Sequence, residues 1–205
     1  AYISSETLGG GRGGNIRLEA RDSVSFSGED QTASGSGIEA SAKYSGHAGE
    51  LVIEAKNISL TDGAYINSGS HGSGDGGEIF LGNAETIVLS GTDTKGNPTR
   101  IYSGSEGTLP TAGSGGKIVV SARNLSLSDH ASISVSSKGG GEAGKMDLNV
   151  SEIRLGSGAS LTSGTERENV HEFGSMSERD NILIPGDRVD VTEDAGSGMT
   201  GSYIF

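Results

Sequence analysis

The chain has no cysteine and no tryptophan, three prolines, and aromatic residues at only 4%. Without cysteine, disulfides and thiolate metal sites are excluded. With so few large side chains, a chain of 205 residues lacks the material of a conventional globular core. Basic residues are scarce as well: Lys and Arg number 15 against 27 Asp and Glu, giving a formal charge of −12 and a pI near 4.7. Nucleic acids and anionic membranes are held by clustered Lys and Arg, so neither is an expected partner. No run of roughly eighteen apolar residues occurs, so no segment reads as a membrane-spanning helix.

What the chain has is glycine, 36 residues of it, and order. From Gly49 to Ser68, apolar residues alternate with polar ones at Leu51 and Ile53, at Ile58 and Leu60, and at Ala64 and Ile66. That is the period of strands with one buried face, three short strands in a row. The pattern recurs from Gly116 (Ile118, Val120, Leu125, Leu127, Ala131, Ile133) and from Gly144 (Met146, Leu148, Ile153, Leu155, Ala159, Leu161). Gly14 leads Ile16, Leu18, Val24 and Phe26, and Gly77 leads Ile79, Leu81, Ile87 and Leu89, each with one extra residue between the first and second strands. A weaker copy uses Ile182, Ile184, Val189 and Val191. Strands too short to bury a core alone, repeated at this period, predict a solenoid in which neighbouring coils supply the missing contacts. The expected fold is all-β, a parallel β-helix of about six coils with three short strands each, on the order of 30 Å long. Its core is a thin column of Ile, Leu, Val and Ala.

Residues 1–205 read as a single β-helix segment. Ala1-Tyr2-Ile3-Ser4-Ser5 matches Ala64-Tyr65-Ile66-Asn67-Ser68, so the first residues are expected to form the third strand of a coil. The last, Ser202 to Phe205, end on apolar residues, and a segment of a larger solenoid is the expectation. Inserts vary between coils. Glu29–Gly37 and Thr92–Thr99 enter after a second strand, Gly104–Gly115 and the charged, irregular stretch 165–180 after a third. One turn recurs after the second strand: Thr61-Asp62-Gly63-Ala64, Ser128-Asp129-His130-Ala131, Gly156-Ser157-Gly158-Ala159 and Thr192-Glu193-Asp194-Ala195. Its third position holds Gly, His or Asp, residues that tolerate a left-handed backbone, so His130 is read as a turn residue.

The pattern Gly-x-Ile-x-Leu-x-Ala-x-Asn-Ile-x-Leu-Ser-Asp-Gly-Ala-x-Ile-x-Ser, with spacers such as Gly72-Ser73-Gly74-Asp75-Gly76-Gly77, resembles the filamentous haemagglutinin-like repeats of large two-partner secretion exoproteins. The insert from Ser90 to Arg100 is similar to a longer repeat variant in such proteins. The resemblance covers nearly all of the chain except 165–180. It implies a right-handed parallel β-helix, export through an outer-membrane transporter partner, an extracellular or bacterial cell-surface location, and adhesion or biofilm contact. The amino-terminal secretion domain of that family is not among these residues.

Candidate chemistry is sparse. Parallel β-helices also carry polysaccharide lyases, which need converging carboxylates and a Lys or Arg base on one face. Lys56 aligns with Arg21 and Arg123, but the other equivalents are Ala84 and Ser151, which reads as a solvated corner. Asp62, Asp129 and Glu193 share a corner position interrupted by Ser157. Gly72 to Ile79 is similar to a calcium-binding nonapeptide but does not recur in tandem. His47, His71, His130 and His171 lack metal-ligand spacing. No catalytic, cofactor-binding or metal-ligating residue is assigned, no cofactor is expected, and no ligand-binding residue stands out. The chain therefore reads as non-catalytic, contacting a glycan, matrix or cell-surface partner through its inserts. A purely structural stalk stacking end to end is the alternative, and a carbohydrate-active enzyme the weaker one. Tyr44, Tyr65 and Tyr102 are the aromatic candidates for a binding surface, with Tyr65 and Tyr102 expected to point outward.

Overall fold

A computed structural model describes residues 1–28 and 35–165, and the backbone of the strands Asn181–Leu183, Val189–Val191, Gly198–Thr200 and Tyr203–Ile204. All of its regular structure is β, and no helix long and apolar enough to cross a membrane occurs among the described residues. Every named strand pairs in parallel with its equivalent one coil above or below, which makes the molecule a parallel β-helix.

The columns follow the sequence pattern. Leu51 lies beside Ile16 and Ile79, Ile79 beside Ile118, and Ile118 beside Met146. Ile58, Ile87, Leu125 and Ile153 form a second column, and Leu60, Leu89, Leu127 and Leu155 a third. A fourth runs Ile3, Ile38, Ile66, Ile101, Ile133, Leu161. From Ile38 to Leu161 these side chains are essentially inaccessible. Each such burial contributes about 1.5–3 kcal/mol, and because each residue is covered by its neighbours above and below, no coil is stable alone. Tyr2–Ser4 occupies the third-strand position expected of it. Beyond the fifth coil, Ile182 pairs with Met146 and Val189 with Ile153, the register read for the weakest copy, whereas Met199 pairs with Leu161, two residues beyond the place that aligning Ala195 with Ala159 gives. Of the stretch 165–180, Thr165 is described and bridges Ser137; the rest, with His171, lies outside the described residues.

The coil differs from the expectation in one respect. In the first two complete coils the first and second strands are separate, Ile16–Glu19 with Ser23–Ser27 and Glu50–Glu54 with Asn57–Thr61. In the next three they run on as one, Glu78–Ser90, Lys117–Leu127 and Lys145–Leu155. Two parallel ladders result rather than three, one carrying these strands and the other the third strands. The corner is a bend in an extended chain with a small inward residue, Ala55, Ala84, Ala122 or Val150, so ladder hydrogen bonds continue through it.

Between the third strand and the next coil the chain passes close to the coil beneath. Buried Ser68, Ser103 and Ser163 donate their hydroxyls to the carbonyls of Gly49 (2.5 Å), Gly77 (2.7 Å) and Gly144 (3.1 Å). A Cβ on Gly77 would sit 1.9 Å from the Gly49 oxygen and 2.2 Å from Ser68 Oγ, and one on Gly116 would sit 2.1 Å from the Gly77 oxygen. The glycine that leads each copy is thus required by close approach.

Candidate functional site

Three surfaces could carry function: the turn after the second strand, the glycine-rich side, and the corner between the first and second strands.

At the turn, Asp62 and Gly63 have φ of 57° and 80°, Asp129 and His130 of 52° and 67°, and the Ala64 and Ala131 N–H groups close i to i+3 hydrogen bonds of 3.1 and 3.0 Å to Thr61 and Ser128. Both central residues are left-handed, the mark of a type I′ turn. In the fifth coil only Gly158, at 68°, is so. The third-position reading holds, and His130 is a turn residue whose ring lies on Gly158, where a Cβ would be 2.3 Å from Nδ1. Asp62 and Asp129 are also left-handed, which the alignment left out. Each accepts its neighbour's hydroxyl, Thr61 at 3.0 Å and Ser128 at 2.8 Å. Glu193 lies outside the described residues.

The described ends of the inserts after the second strand are joined by backbone hydrogen bonds. Ser36 N–H bonds to the Gly28 carbonyl (2.9 Å) and Thr99 N–H to the Gly91 carbonyl (3.0 Å), the same clasp in both, although residues 29–34 are outside the described set. In the second, the Asp93 carboxylate accepts Asn97 Nδ2 and the N–H groups of Asn97 and Lys95 at 2.7, 2.7 and 2.9 Å. These bonds, led by the Asn97 side chain, hold Asp93 below the usual carboxylate range.

On the glycine-rich side, Thr7, Ala42, Ser70, Ser105, Ser137 and Thr165 form a ladder of single bridges. Lys43 Nζ, 3.2 Å from Glu6 Oε1, links its first coils, and two histidine–carboxylate pairs link later ones. His47 Nδ1 accepts the Asp75 N–H at 3.1 Å and lies 3.1 Å from the Asp75 carboxylate. His71 Nδ1 is 2.8 Å from Glu106 Oε2, and this bond holds Glu106 below the usual range against the opposing effect of its burial. The other Asp75 oxygen accepts the Ser114 N–H at 2.8 Å, so the carboxylate in the nonapeptide-like segment is bound to the protein itself. Among the described residues, no three His, Asp or Glu side chains gather as a metal site. Tyr65 and Tyr102 lie on the outer side of their strands but are half-buried, the first ring against Gly37 and the second against Gly69 and Gly104. Burial raises the Tyr65 hydroxyl pKa, with Glu39 adding to it. Tyr44, 64% exposed, stands free on the glycine-rich side with Leu8 and Leu109.

At the corner the alignment of Lys56 with Arg21 and Ala84 is corrected. Asn57 pairs with Ser23 and Thr86, Thr86 with Asn124, and Asn124 with Glu152. The residues preceding these stack as Asp22, Lys56, Glu85, Arg123 and Ser151, the first four alternating in sign. The extra residues of the first and third coils cause the shift. In the third coil Asn83 bulges out at φ 58°, and the Lys56 carbonyl accepts both Glu85 N–H (2.7 Å) and Thr86 N–H (3.1 Å). Lys56 Nζ is 3.9 Å from Asp22. Arg17 bridges Glu19 and Glu54, and Asn83 Nδ2 donates to the second Glu54 oxygen at 2.7 Å. A solvent-open groove of about 390 Å³ runs between Glu19, Arg21, Glu54, Lys56 and Asn83. The extra residue was visible in the sequence; the groove it opens was not read there.

No protein-family model, curated protein or solved structure matches this chain. The resemblance to filamentous haemagglutinin-like repeats rests on the motif residues alone.

Proposed function

We propose that this chain is a non-catalytic rod segment of a secreted or surface-exposed bacterial exoprotein, acting in adhesion, biofilm or matrix contact by presenting its sides to a glycan, matrix or cell-surface partner. The observation that carries the reading is the indifference of the rod to its inserts. Ile79 pairs with Ile118 across the loops 92–99 and 104–115, and Ile118 pairs with Met146 across none, in the same inward column. A scaffold of this kind tolerates loop variation, which suits display. Export through an outer-membrane transporter partner and placement at the cell surface follow from the family resemblance.

Binding of the purified chain to immobilised matrix proteins and glycans tests this. Saturable binding, lost when the stack is unfolded, is the expected result; absence of binding to every surface contradicts it.

A second reading is a stalk that stacks end to end, in keeping with coils that repeat in one register through the fourth and fifth. Sedimentation at low and moderate ionic strength separates the readings: screening of the net charge promotes association of a stalk and leaves a display rod monomeric.

A further inference from the structure

The groove at the corner has a cause in the sequence. The first and third coils place one residue more between their first and second strands than the second coil does, so the second coil is recessed between two that bulge. In the fourth and fifth coils, which pair without a shift through this corner, the surface is flush. The recess spans about 10 Å along the rod from the first to the third coil. Its volume of about 390 Å³ is at the low end of the range for small-ligand clefts.

We propose that this recess binds a neutral saccharide of two or three units, an inference that rests on the adhesive reading above. The polar groups facing it are mixed in kind. Glu19 and Glu54 supply acceptors, Arg21 and Lys56 supply donors, and Asn83, fixed by its bond to Glu54, presents a planar amide. Their formal charges cancel. Arg17 already balances the charge of Glu19 and Glu54, which disfavours a cation while leaving carboxylate lone pairs for a neutral donor, and Lys56 is flanked in its column by Asp22 and Glu85, which disfavours a phosphate or uronate. A sugar hydroxyl, donor and acceptor at once, matches both halves of such a lining. Beside Asn83, the Phe80 ring is folded over Gly82, where a Cβ would lie 2.3 Å from its Cε1.

The test is titration of the isotope-labelled full chain with cellotriose, xylotriose and chitotriose, each up to about 20 mM, where a millimolar complex is mostly formed. Expected are saturable shifts at the Asn83 side-chain amide and the Lys56 and Arg21 backbone amides for one or more of them. Deletion of Asn83, which restores the spacing of the fourth coil, should weaken binding at least tenfold, and Lys56→Gln, which leaves the backbone untouched, should weaken it severalfold. No shift at this corner with any of the three overturns the proposal, as does tighter binding of trigalacturonate than of all of them. A chain that takes a trisaccharide here but adheres to no surface upholds the recess and sinks the adhesive reading. One that adheres undiminished after deletion of Asn83 and shows no trisaccharide shift does the reverse.

Discussion

Glu85 is stacked on Lys56, its N–H 2.7 Å from the Lys56 carbonyl oxygen, where coils of equal length would have placed an uncharged residue. One extra residue in the third coil thereby sets an acid on a base. The strain is confined to Asn83, whose left-handed backbone suits Asn better than most side chains.

Asn83→Ala should therefore destabilise the rod by about 1–2 kcal/mol, since Ala lacks both the local tolerance of that conformation and the amide that meets Glu54. Asn83→Gly, which relieves the backbone, should cost less. Urea midpoints of the two variants check the order.

Ile118 is fully buried between Ile79 and Met146. Ile118→Asp places an unpaired carboxylate in the shared column, at a cost of several kcal/mol. Loss of the β circular-dichroism signal at temperatures where the parent chain is folded is the expected outcome; an unchanged melting temperature would mean that the side chain does not face inward.

A pair of glycines tests close approach. Gly77→Ala brings a methyl to 1.9 Å from the Gly49 carbonyl oxygen and must displace backbone, whereas Gly9→Ala meets nothing within 4 Å. The first should lower the melting temperature clearly. The second should stay within about 0.5 kcal/mol of the parent.

The inward columns were legible in the sequence because a period of two admits one register when a single face is buried. Ile3, Ile66 and Ile133 could be aligned by eye and do stack. The fusion of first and second strands was not legible, because an extended bend at Ala122 or Val150 needs neither Gly nor Pro and leaves no punctuation. The corner charges were misread for a related reason. Counting Arg21 and Ala84 from the first strand ignores that the bulge is absorbed before the second, so the stacked residues are Asp22 and Glu85. Asp62 escaped notice because Asp suits an ordinary turn as well as a left-handed one.

Acid should loosen the glycine-rich side. Glu106 has a folded pKa below its ordinary value of 4.5, chiefly through the His71 bond, with Lys138 and Arg100 adding to it. A depressed carboxylate contributes stability above its unfolded pKa and loses it as pH falls through the folded one. Glu106→Gln should thus melt below the parent at pH 6, and the difference should shrink as pH falls below about 4.5 and be lost once it has passed the lowered folded value. Melting curves of both chains across that window give the comparison.

The central claim is that successive coils lie in register, bulge included. Ser59 pairs with Val88, both on the outer side of the second strands, whereas coils of equal length would set Ser59 against Ile87. Strands pair at about 4.8 Å, within the Cα separation a disulfide spans, and the chain has no cysteine to compete. Mild oxidation of the Ser59→Cys/Val88→Cys double variant, followed by mass spectrometry of the monomer, should give a near-complete intramolecular disulfide. Ser59→Cys/Ile87→Cys, whose second side chain points into the core, should give little. Failure of the first pair to close, or closure of the second in its place, would contradict the stacking described here.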